Sequence, residues 1–242
     1  MSAPLFLVAA LPAPGAFRLD GPEGRHAADV QRLRVGEHLL LSDGEGGVCP
    51  ATVTATEKGA LVLDVGEAHR EPLPEPSLTV VQGLAKGDRG ERAVQAMTEV
   101  GVDAIVPWSA SRSVVQWRGD RGDKAHAKWA ATAREAAKQA RRHRVPELAE
   151  TASTKAVAAR VTAASAAFVL HEDATEPLST AKLPDAGQIV LVVGPEGGVS
   201  GDELAAFEAA GALPVRLGRE VLRTSTAGVA ALAALSVRLG RW

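Results

Sequence analysis

The feature that most constrains the fold is a proline-rich connector at residues 69–76, in which Pro72, Pro74 and Pro76 occupy alternate positions. Proline breaks a helix, so an extended segment is predicted here. Before the connector, short apolar runs are separated by turn residues: Leu5–Ala10, His38–Leu41, Val48–Thr54 and Ala60–Val65. Residues 42–47 lie between two of these runs and predict a hairpin turn. Residues 1–72 are therefore predicted to form a small β-rich domain, a barrel.

After the connector, strand-like runs alternate with helical patterns. Strands are predicted at Leu78–Leu84, Ala104–Pro107, Ala166–His171, Gln188–Val193 and Pro214–Leu217, and helices at about 93–100 and 123–142, from Gly201, and at Ala227–Val237. This alternation is typical of a mainly parallel sheet with helices on both faces. Residues 73–242 are therefore predicted to form one α/β domain.

Charge is unevenly distributed along the chain. The formal net charge is only −2, yet residues 121–146 contain eight lysines and arginines against two acidic residues. A local excess of positive charge suits an anionic partner. A solvated helix face with surplus charge explains the same pattern equally well.

Several common sites are excluded by the sequence. It has no phosphate-binding loop of the Walker type, no dinucleotide-binding glycine fingerprint and no nucleophile elbow. The single cysteine, Cys49, and the scattered histidines predict no metal site. Prolines interrupt the uncharged N-terminal segment, and the longest other uncharged run, 224–237, is shorter than the roughly 18 residues that span a bilayer. We therefore expect a cytoplasmic protein without a membrane anchor.

Two blocks stand out as candidate binding loops. Residues 194–198, Gly-Pro-Glu-Gly-Gly, follow a buried strand, and Ser200 with Glu203 predicts a capping box at the next helix. Glycines at the carboxyl end of a parallel sheet let the backbone approach a ligand, although a tight turn also uses glycine. Residues 217–227 again join a strand to a helix, with Arg223 beside helix-capping candidates at 224–226. An ordinary capped loop is the simpler interpretation of this second block.

The final helix has no polar face. Val229, Leu232 and Leu235 are separated mostly by alanines. A helix that is apolar all round is buried on all sides. The pattern therefore predicts that part of this helix faces a second subunit in a homodimer, with Val229, Leu232 and Leu235 contributing buried area.

Together these blocks resemble the RsmE family of ribosomal RNA methyltransferases, in the SPOUT (trefoil-knot) superfamily. The resemblance rests on Gly194–Gly198, Leu217-Gly218 and Val221–Ala227, on Lys86–Arg89 and Gln95–Val102, on Glu135–Gln139 with Arg141, Arg142 and Val145-Pro146, and on His26, Arg32–Arg34 and Asp43-Gly44. These motifs extend over nearly the whole chain. Two positions depart from the family pattern. The family often has arginine where this chain has Glu220, and it usually has glutamate where this chain has Ser225.

The resemblance implies a PUA-like RNA-binding β-barrel followed by a knotted SPOUT methyltransferase domain that acts as a homodimer. It implies S-adenosylmethionine as cofactor, no metal, and methylation of uracil N3 in 16S ribosomal RNA, either free or in the small ribosomal subunit. The cofactor site is expected to include Leu170, His171, Glu172, Gly194, Pro195, Glu196, Gly197, Leu217, Gly218, Val221, Leu222, Thr224, Thr226 and Ala227.

Catalysis at uracil N3 needs a group that stabilises the uracil anion, and Arg223 is the predicted one. Glu196 is predicted to position the ligand or to act as a base. RNA contacts are expected from His26, Arg32, Arg34, Lys86, Arg89, Arg134, Arg141, Arg142 and Arg144. Two alternatives remain: a non-catalytic ribosome-assembly factor that binds RNA, and a SPOUT methyltransferase that acts on another RNA.

Overall fold

The computed structural model describes residues 3–242 and divides the chain into two compact units. One unit reaches to Leu73 and also includes Ala137–Val145, and the other comprises Pro74–Ala136 and Pro146–Trp242. The first division lies at the predicted connector. The inclusion of residues 137–145 in the N-terminal unit differs from the two contiguous domains expected from sequence, because no local pattern shows where a distant segment packs.

The N-terminal unit is built on one sheet with strand order β1-β3-β4-β5-β2, and β6 pairs with β4. The strands are β1 (Leu5–Leu7), β2 (Gly15–Leu19), β3 (His38–Ser42), β4 (Gly47–Glu57), β5 (Ala60–Val65) and β6 (His69–Arg70), and a short helix α1 (Gly21–Arg25) runs into a π-helical turn (His26–Val30). Its core is formed by inward-facing strand residues such as Phe6, Leu41 and Leu63. Strands β2 and β6 and the helical segment were not predicted from the sequence.

The predicted hairpin turn between β3 and β4 is confirmed. These strands pair antiparallel, and Asp43 Oδ1 accepts hydrogen bonds from the backbone N–H groups of Glu45 (2.8 Å) and Gly47 (2.9 Å). Burial alone would raise the pKa of Asp43, but these bonds and the Arg70 guanidinium hold it below its ordinary value. The turn is therefore held by an ionised aspartate.

The C-terminal unit contains a parallel sheet with strand order β12-β10-β11-β7-β8-β9. The strands are β7 (Ser77–Gly83), β8 (Ala104–Trp108), β9 (Glu147–Leu148), β10 (Ala166–Leu170), β11 (Gln188–Val193) and β12 (Leu213–Val215). The helices are α2 (Arg89–Glu99), α3 (Gly119–Gln139), α4 (Thr154–Ala163), α5 (Gly201–Ala209) and α6 (Thr224–Arg238). The predicted alternation of strands and helices is confirmed, although α4 and β9 were not anticipated.

Helices cover both faces of this sheet, as predicted. Along β11, Ile189 and Leu191 belong to one hydrophobic cluster and Val190 and Val192 to another. Successive side chains on a strand point to opposite faces, so the two clusters lie on opposite sides. The first cluster includes residues of α2, α3 and α6, and the second includes residues of α4 and α5. Among residues 3–242, no helix is long and apolar enough to cross a membrane.

Helix α3, which carries much of the positive charge of residues 121–146, ends at Gln139, three residues earlier than the predicted end at about residue 142. Arg141 adopts a left-handed backbone conformation with φ of 55°, its N–H bonds to Lys138 O (3.0 Å), and the Arg142 N–H bonds to Ala137 O (2.8 Å). This is the hydrogen-bond pattern of a Schellman motif, which terminates a helix. Arg141, Arg142 and Arg144 therefore lie in a segment after the helix, which corrects their predicted placement on it.

The prediction for the final helix is partly wrong. Leu232 and Leu235 are fully buried within the chain itself, in the cluster that also includes Met97 of α2. Gly228 permits this packing, because a Cβ added there would lie 2.8 Å from Met97 Sδ. These two leucines therefore cannot form a subunit interface. Val229 is only partly buried, and Val237 is exposed.

Candidate functional site

A large cavity lies at the carboxyl ends of three neighbouring parallel strands. The last residues of β10, β11 and β12, which are Leu170, Val193 and Val215, all line it, and its volume is about 750 Å³. Ligands of open α/β sheets bind at this edge, where the strand ends and the following loops leave a crevice. The volume falls within the range of about 300–1,000 Å³ that is usual for small-molecule sites.

Residues 194–198, the glycine loop, form one wall of the cavity. Gly198 has φ of +72° and donates its N–H to Pro195 O at 2.9 Å, so the loop closes as a turn. The loop also lies against the end of β7, since a Cβ added at Gly83 would be 2.6 Å from Pro195 N. Glycine is therefore required at position 83 to bring the loop against the sheet.

A buried hydrogen-bond chain holds the glycine loop to the start of α6. Thr224 Oγ1 donates to Gly194 O at 2.7 Å and accepts a bond from Gln82 Nε2 at 2.9 Å. The sequence suggested residues 224–226 as helix caps, but Arg223 occupies the N-cap position and no side chain caps the helix. That prediction is wrong because the Thr224 hydroxyl instead bonds to Gln82 of β7 and to Gly194 of the glycine loop.

The predicted capping box at the start of α5 is confirmed. Glu203 is buried, and its carboxylate accepts bonds from Ser200 N (3.0 Å), Ser200 Oγ (2.9 Å), Ser111 N (2.7 Å) and Thr154 Oγ1 (3.1 Å). Burial alone would raise the pKa of Glu203, but these hydrogen bonds hold it below its ordinary value. An ionised carboxylate therefore joins α5 to the loop after β8 and to the first residue of α4.

Glu196 projects from the glycine loop toward the segment between β7 and α2. Its Oε1 accepts bonds from the Lys86 backbone N–H (3.0 Å) and from Arg89 Nη1 (2.8 Å). Burial alone would raise the pKa of Glu196, but the bond from Arg89, the backbone donors and the Arg89 charge hold it below its ordinary value. The carboxylate is therefore ionised at neutral pH and already bonded to protein donors.

The opposite wall of the cavity is the segment 215–224, which includes three arginines, Arg216, Arg219 and Arg223. The Arg223 carbonyl accepts the N–H groups of Thr226 and Ala227, both at 2.9 Å, which fixes the backbone at the start of α6. Within residues 3–242, the Arg223 guanidinium has no hydrogen-bond partner. It is exposed and lines the cavity, so its donors are available to a ligand.

The cavity brings together almost all residues that the sequence assigned to the cofactor. Every one of them lines it except Thr226, whose hydroxyl instead bonds to Arg223 O at 3.1 Å. Both predicted catalytic residues, Arg223 and Glu196, also line it. Four further charged residues that line the cavity were not predicted from the sequence: Arg112, Asp173, Arg216 and Arg219. Arg216 and Arg219 lie next to the second block and could have been found there, whereas no local pattern marks Arg112.

The predicted RNA-binding residues are distributed over both units. His26, Arg32, Arg34, Arg141, Arg142 and Arg144 belong to the N-terminal unit, and Lys86, Arg89 and Arg134 to the C-terminal unit. Arg32 and Arg34 are exposed. Arg144 donates to Glu71 O at 3.0 Å, and Arg89 pairs with Glu196. Within the described part of the chain, no group of histidine, cysteine and acidic side chains is placed to hold a metal ion.

The sequence matches two family models. Residues 71–236 match an RNA methyltransferase domain, and residues 19–66 match an RNA methyltransferase PUA domain. The two matches agree with the division of the chain at its proline-rich connector.

Individual relatives resemble the chain along nearly its full length. It is 46% identical to ribosomal RNA small subunit methyltransferase E of Mycobacterium bovis, over 100% of this chain and 94% of the relative. It is 30% identical to the Bacillus subtilis protein of the same name, over 91% of this chain and 89% of that relative. A crystal structure of this enzyme from Neisseria gonorrhoeae, bound to S-adenosylmethionine, superposes with a TM-score of 0.85 at 27% identity and covers 98% of each chain.

These matches confirm the resemblance and the predicted fold class, a PUA-like domain followed by a SPOUT-type α/β domain. The bound ligand in the Neisseria structure is the cofactor that the resemblance implied. The chain belongs to the ribosomal RNA small subunit methyltransferase E family.

Proposed function

We propose that this protein transfers a methyl group from S-adenosylmethionine to N3 of a uridine in 16S ribosomal RNA. The observation that supports this most directly is the cavity at the carboxyl edge of the sheet, bounded by the glycine loop and lined by Arg223, in a chain of this family. The relatives' names specify small-subunit ribosomal RNA. We further propose that the protein acts in the cytoplasm, where that RNA is assembled into ribosomal subunits.

The cavity has the composition of a site for this cofactor. Gly194, Gly197 and Gly218 have no side chains to obstruct the backbone, while Leu170 and Leu217 provide apolar surface. Adenine and ribose need such a mixture of apolar contact and backbone hydrogen bonds. When bound, S-adenosylmethionine supplies a methyl group that is already activated by its sulfonium, so no metal is needed for the transfer.

Arg223 is the proposed catalytic residue. Uracil N3 bears a proton, and its lone pair becomes available only when the base is an anion. A positively charged donor fixed beside that anion stabilises the developing charge. The Arg223 backbone is held by two hydrogen bonds at the start of α6, while its guanidinium is free of protein partners within residues 3–242. Arg223 therefore combines a fixed backbone position beside the cavity with side-chain donors that a ligand can use.

Glu196 is better suited to holding the glycine loop than to removing a proton. A general base works best when its pKa lies near the working pH, and the pKa of Glu196 is held below its ordinary range. One of its observed bonds connects the glycine loop to the segment before α2, and the other connects it to Arg89, the first residue of α2. We therefore assign Glu196 to positioning and propose that the N3 proton of uracil passes to solvent water.

We also propose that the protein is a homodimer that binds RNA through its exposed arginines. The outward side of α6 presents Ala230, Ala233 and Val237, so it offers an apolar surface without Leu232 and Leu235. Arg32 and Arg34 are exposed on the N-terminal unit and are suited to contact phosphates. With few aromatic side chains in the protein, phosphate and shape contacts are expected to dominate over base stacking.

The proposed function is tested by methylation with labelled S-adenosylmethionine. Small ribosomal subunits and free 16S RNA, both prepared from a strain that lacks the homologous gene, serve as substrates, with large-subunit RNA as the control. We expect one modified nucleotide in 16S RNA, identified as 3-methyluridine by mass spectrometry of the digested RNA. The comparison of subunits with free RNA identifies the substrate form.

Three other results would contradict the proposal. Cofactor and RNA binding without methyl transfer would indicate a non-catalytic assembly factor. A ribose-methylated product, recognised by its resistance to alkaline hydrolysis, would place the protein among other SPOUT enzymes. Methylation of large-subunit or transfer RNA alone would show that another RNA is the substrate.

A further inference from the structure

Arg112 lies in a short turn that follows β8 and is fixed by backbone hydrogen bonds. The Ser113 N–H bonds to Ala110 O at 3.0 Å, and the Ser109 N–H bonds to Ala152 O at 3.0 Å. Between them, the Ser111 N–H bonds to the buried Glu203 carboxylate at 2.7 Å. The backbone before Arg112 is therefore anchored to the segment that precedes α4 and to α5, and the backbone after it is held within the turn.

The Arg112 side chain extends from this turn to the glycine loop. Its Nη1 donates to Gly197 O at 3.1 Å and to Val199 O at 3.4 Å. Bonds from a charged donor are stronger than those between neutral groups. A single guanidinium therefore fixes two carbonyl groups on either side of Gly198, where the loop turns.

The backbones of the two segments are also in close contact. A Cβ added at Gly197 would lie 2.9 Å from Arg112 Cβ and 3.1 Å from Arg112 O. Position 197 therefore has room for glycine only. The loop rests on the turn through main-chain contact as well as through the guanidinium, and both contacts involve Arg112.

We propose that Arg112 is a positioning residue for the cofactor cleft, which holds the glycine loop in its binding conformation. A loop with three glycines in five residues has large conformational freedom, and ordering it during binding would weaken affinity. Arg112 lines the same cavity and removes that freedom before the ligand arrives. The inference rests on the proposed function, since it concerns the same site.

Calorimetric titration of the full chain with S-adenosylmethionine, in the absence of RNA, tests the proposal. Arg112→Ala is expected to weaken cofactor binding about tenfold, the effect of losing a charge-assisted hydrogen bond. Arg112→Lys should lose less cofactor affinity than Arg112→Ala, because an ammonium group can still donate a hydrogen bond to a carbonyl. Arg118→Ala is the matched control: Arg118 is also exposed, on the same connection, but does not line the cavity.

The kinetic expectation distinguishes positioning from a general effect on folding. Arg112→Ala should raise KM for the cofactor about tenfold, with kcat at saturating cofactor and RNA affinity within a few-fold of the unaltered protein. Thermal unfolding without ligand should be nearly unchanged, because Arg112 is exposed. The increase in Tm on adding cofactor should be smaller than in the control variant.

A second variant perturbs the same contact from the other side. Gly197→Ala should weaken cofactor binding, because the added methyl group pushes the loop away from Arg112. The double variant should be less impaired than the sum of the two single effects, because a loop already displaced by Gly197→Ala has lost the guanidinium bonds that Arg112→Ala removes. Full additivity would overturn the inference.

The outcomes separate this inference from the proposed function. If the unaltered protein binds S-adenosylmethionine and Arg112→Ala binds it equally well, the inference is wrong while the proposed function stands. Failure of the unaltered protein to bind S-adenosylmethionine would overturn both. A decrease in kcat with unchanged KM would show that Arg112 acts in the transfer step and not on the loop.

Discussion

Arg223 and Glu196 line the same cavity but have opposite surroundings. The Glu196 carboxylate is bonded to Arg89 and to the Lys86 backbone, whereas the Arg223 guanidinium is unbonded within the described residues. A charged group that is already paired contributes to the shape of a site, and an unpaired one is available to the ligand. Two charged residues of one cavity thus have different roles according to their partners.

Replacing Arg223 with alanine is expected to slow methyl transfer by roughly 100-fold or more at saturating RNA and cofactor. Cofactor affinity should change little, because the proposed contacts to adenine and ribose are the backbone of the glycine loop and the apolar side chains Leu170 and Leu217, not the Arg223 guanidinium. Raising the pH should partly restore the rate, since more uracil is then already an anion. Single-turnover rates of both proteins across a pH series measure these effects.

Arg219→Ala is a suitable control for that experiment, because Arg219 lines the same wall of the cavity. It should keep most of the transfer rate. A saturating rate for Arg223→Ala within a few-fold of the unaltered protein would exclude the catalytic role. Weaker RNA binding alone, without rescue at high pH, would indicate that Arg223 binds the RNA backbone.

At the scale of elements, Glu203 connects three parts of the C-terminal unit. Its carboxylate reaches α5, the loop after β8 and the start of α4, which are segments distant from one another in sequence. The glycine loop lies shortly before α5, so the same carboxylate also fixes the end of the loop that lines the cavity. Stability and site geometry therefore depend on one buried acid.

Glu203→Gln is expected to lower the free energy of unfolding by about 2 kcal/mol at neutral pH, because an amide N–H₂ would face backbone donors. The folded-state pKa of Glu203 is lowered from 4.5, so its stabilisation is present above that value and is lost as the pH falls through the folded-state pKa. The difference in free energy of unfolding between the unaltered protein and Glu203→Gln should therefore become smaller in acid. Urea unfolding at several pH values measures this difference.

The control is Glu208→Gln, on the exposed side of the same helix. It should leave stability within about 0.5 kcal/mol of the unaltered protein at every pH. An equal effect of both variants, or a difference that widens in acid, would contradict the assignment of an ionised, hydrogen-bonded Glu203.

At the scale of the whole molecule, RNA binding should depend on exposed arginines of the N-terminal unit. Replacing Arg32 and Arg34 together with alanine is expected to weaken RNA binding. It should also reduce the slope of log affinity against log salt by about one for each phosphate that the variant no longer neutralises. Cofactor binding should be unchanged. Filter binding across a salt series measures the slope.

Arg18→Ala provides the comparison for that pair. Arg18 is equally exposed but is already paired with Asp20 and Glu57, so its removal should alter RNA affinity little. If Arg32 and Arg34 can be removed without any change in the salt slope, the RNA is bound elsewhere on the protein.

Dimer formation is expected to depend on the outward side of α6. Val237 is 62% exposed at the end of that helix, so Val237→Glu should shift the protein toward monomer by placing a charge in an apolar interface. Val30→Glu, at a 72% exposed valine of the N-terminal unit, should leave the dimer intact. Light scattering over a range of concentrations distinguishes the two variants.

A dimer that survives Val237→Glu would place the interface elsewhere, and a monomeric unaltered protein would exclude the homodimer.

Local sequence patterns were sufficient to predict the connector, the hairpin turn, the capping box and the alternation of strands and helices. Each follows from short-range sterics and hydrogen bonding within a few residues, which the sequence alone determines. The two loops that line the cavity were also recognised as candidate binding loops, because glycine and arginine are clustered within them.

Only the tertiary structure determined which groups meet in the site. Arg89 and Glu196 are separated by 107 residues, Gln82 and Thr224 by 142, and Arg112 and Gly197 by 85. These pairings depend on the order of strands in the sheet, which no local pattern encodes. The same reason explains Leu232 and Leu235: apolar periodicity indicates that a helix face is covered, but whether the chain itself or a second subunit covers it depends on how the whole chain packs.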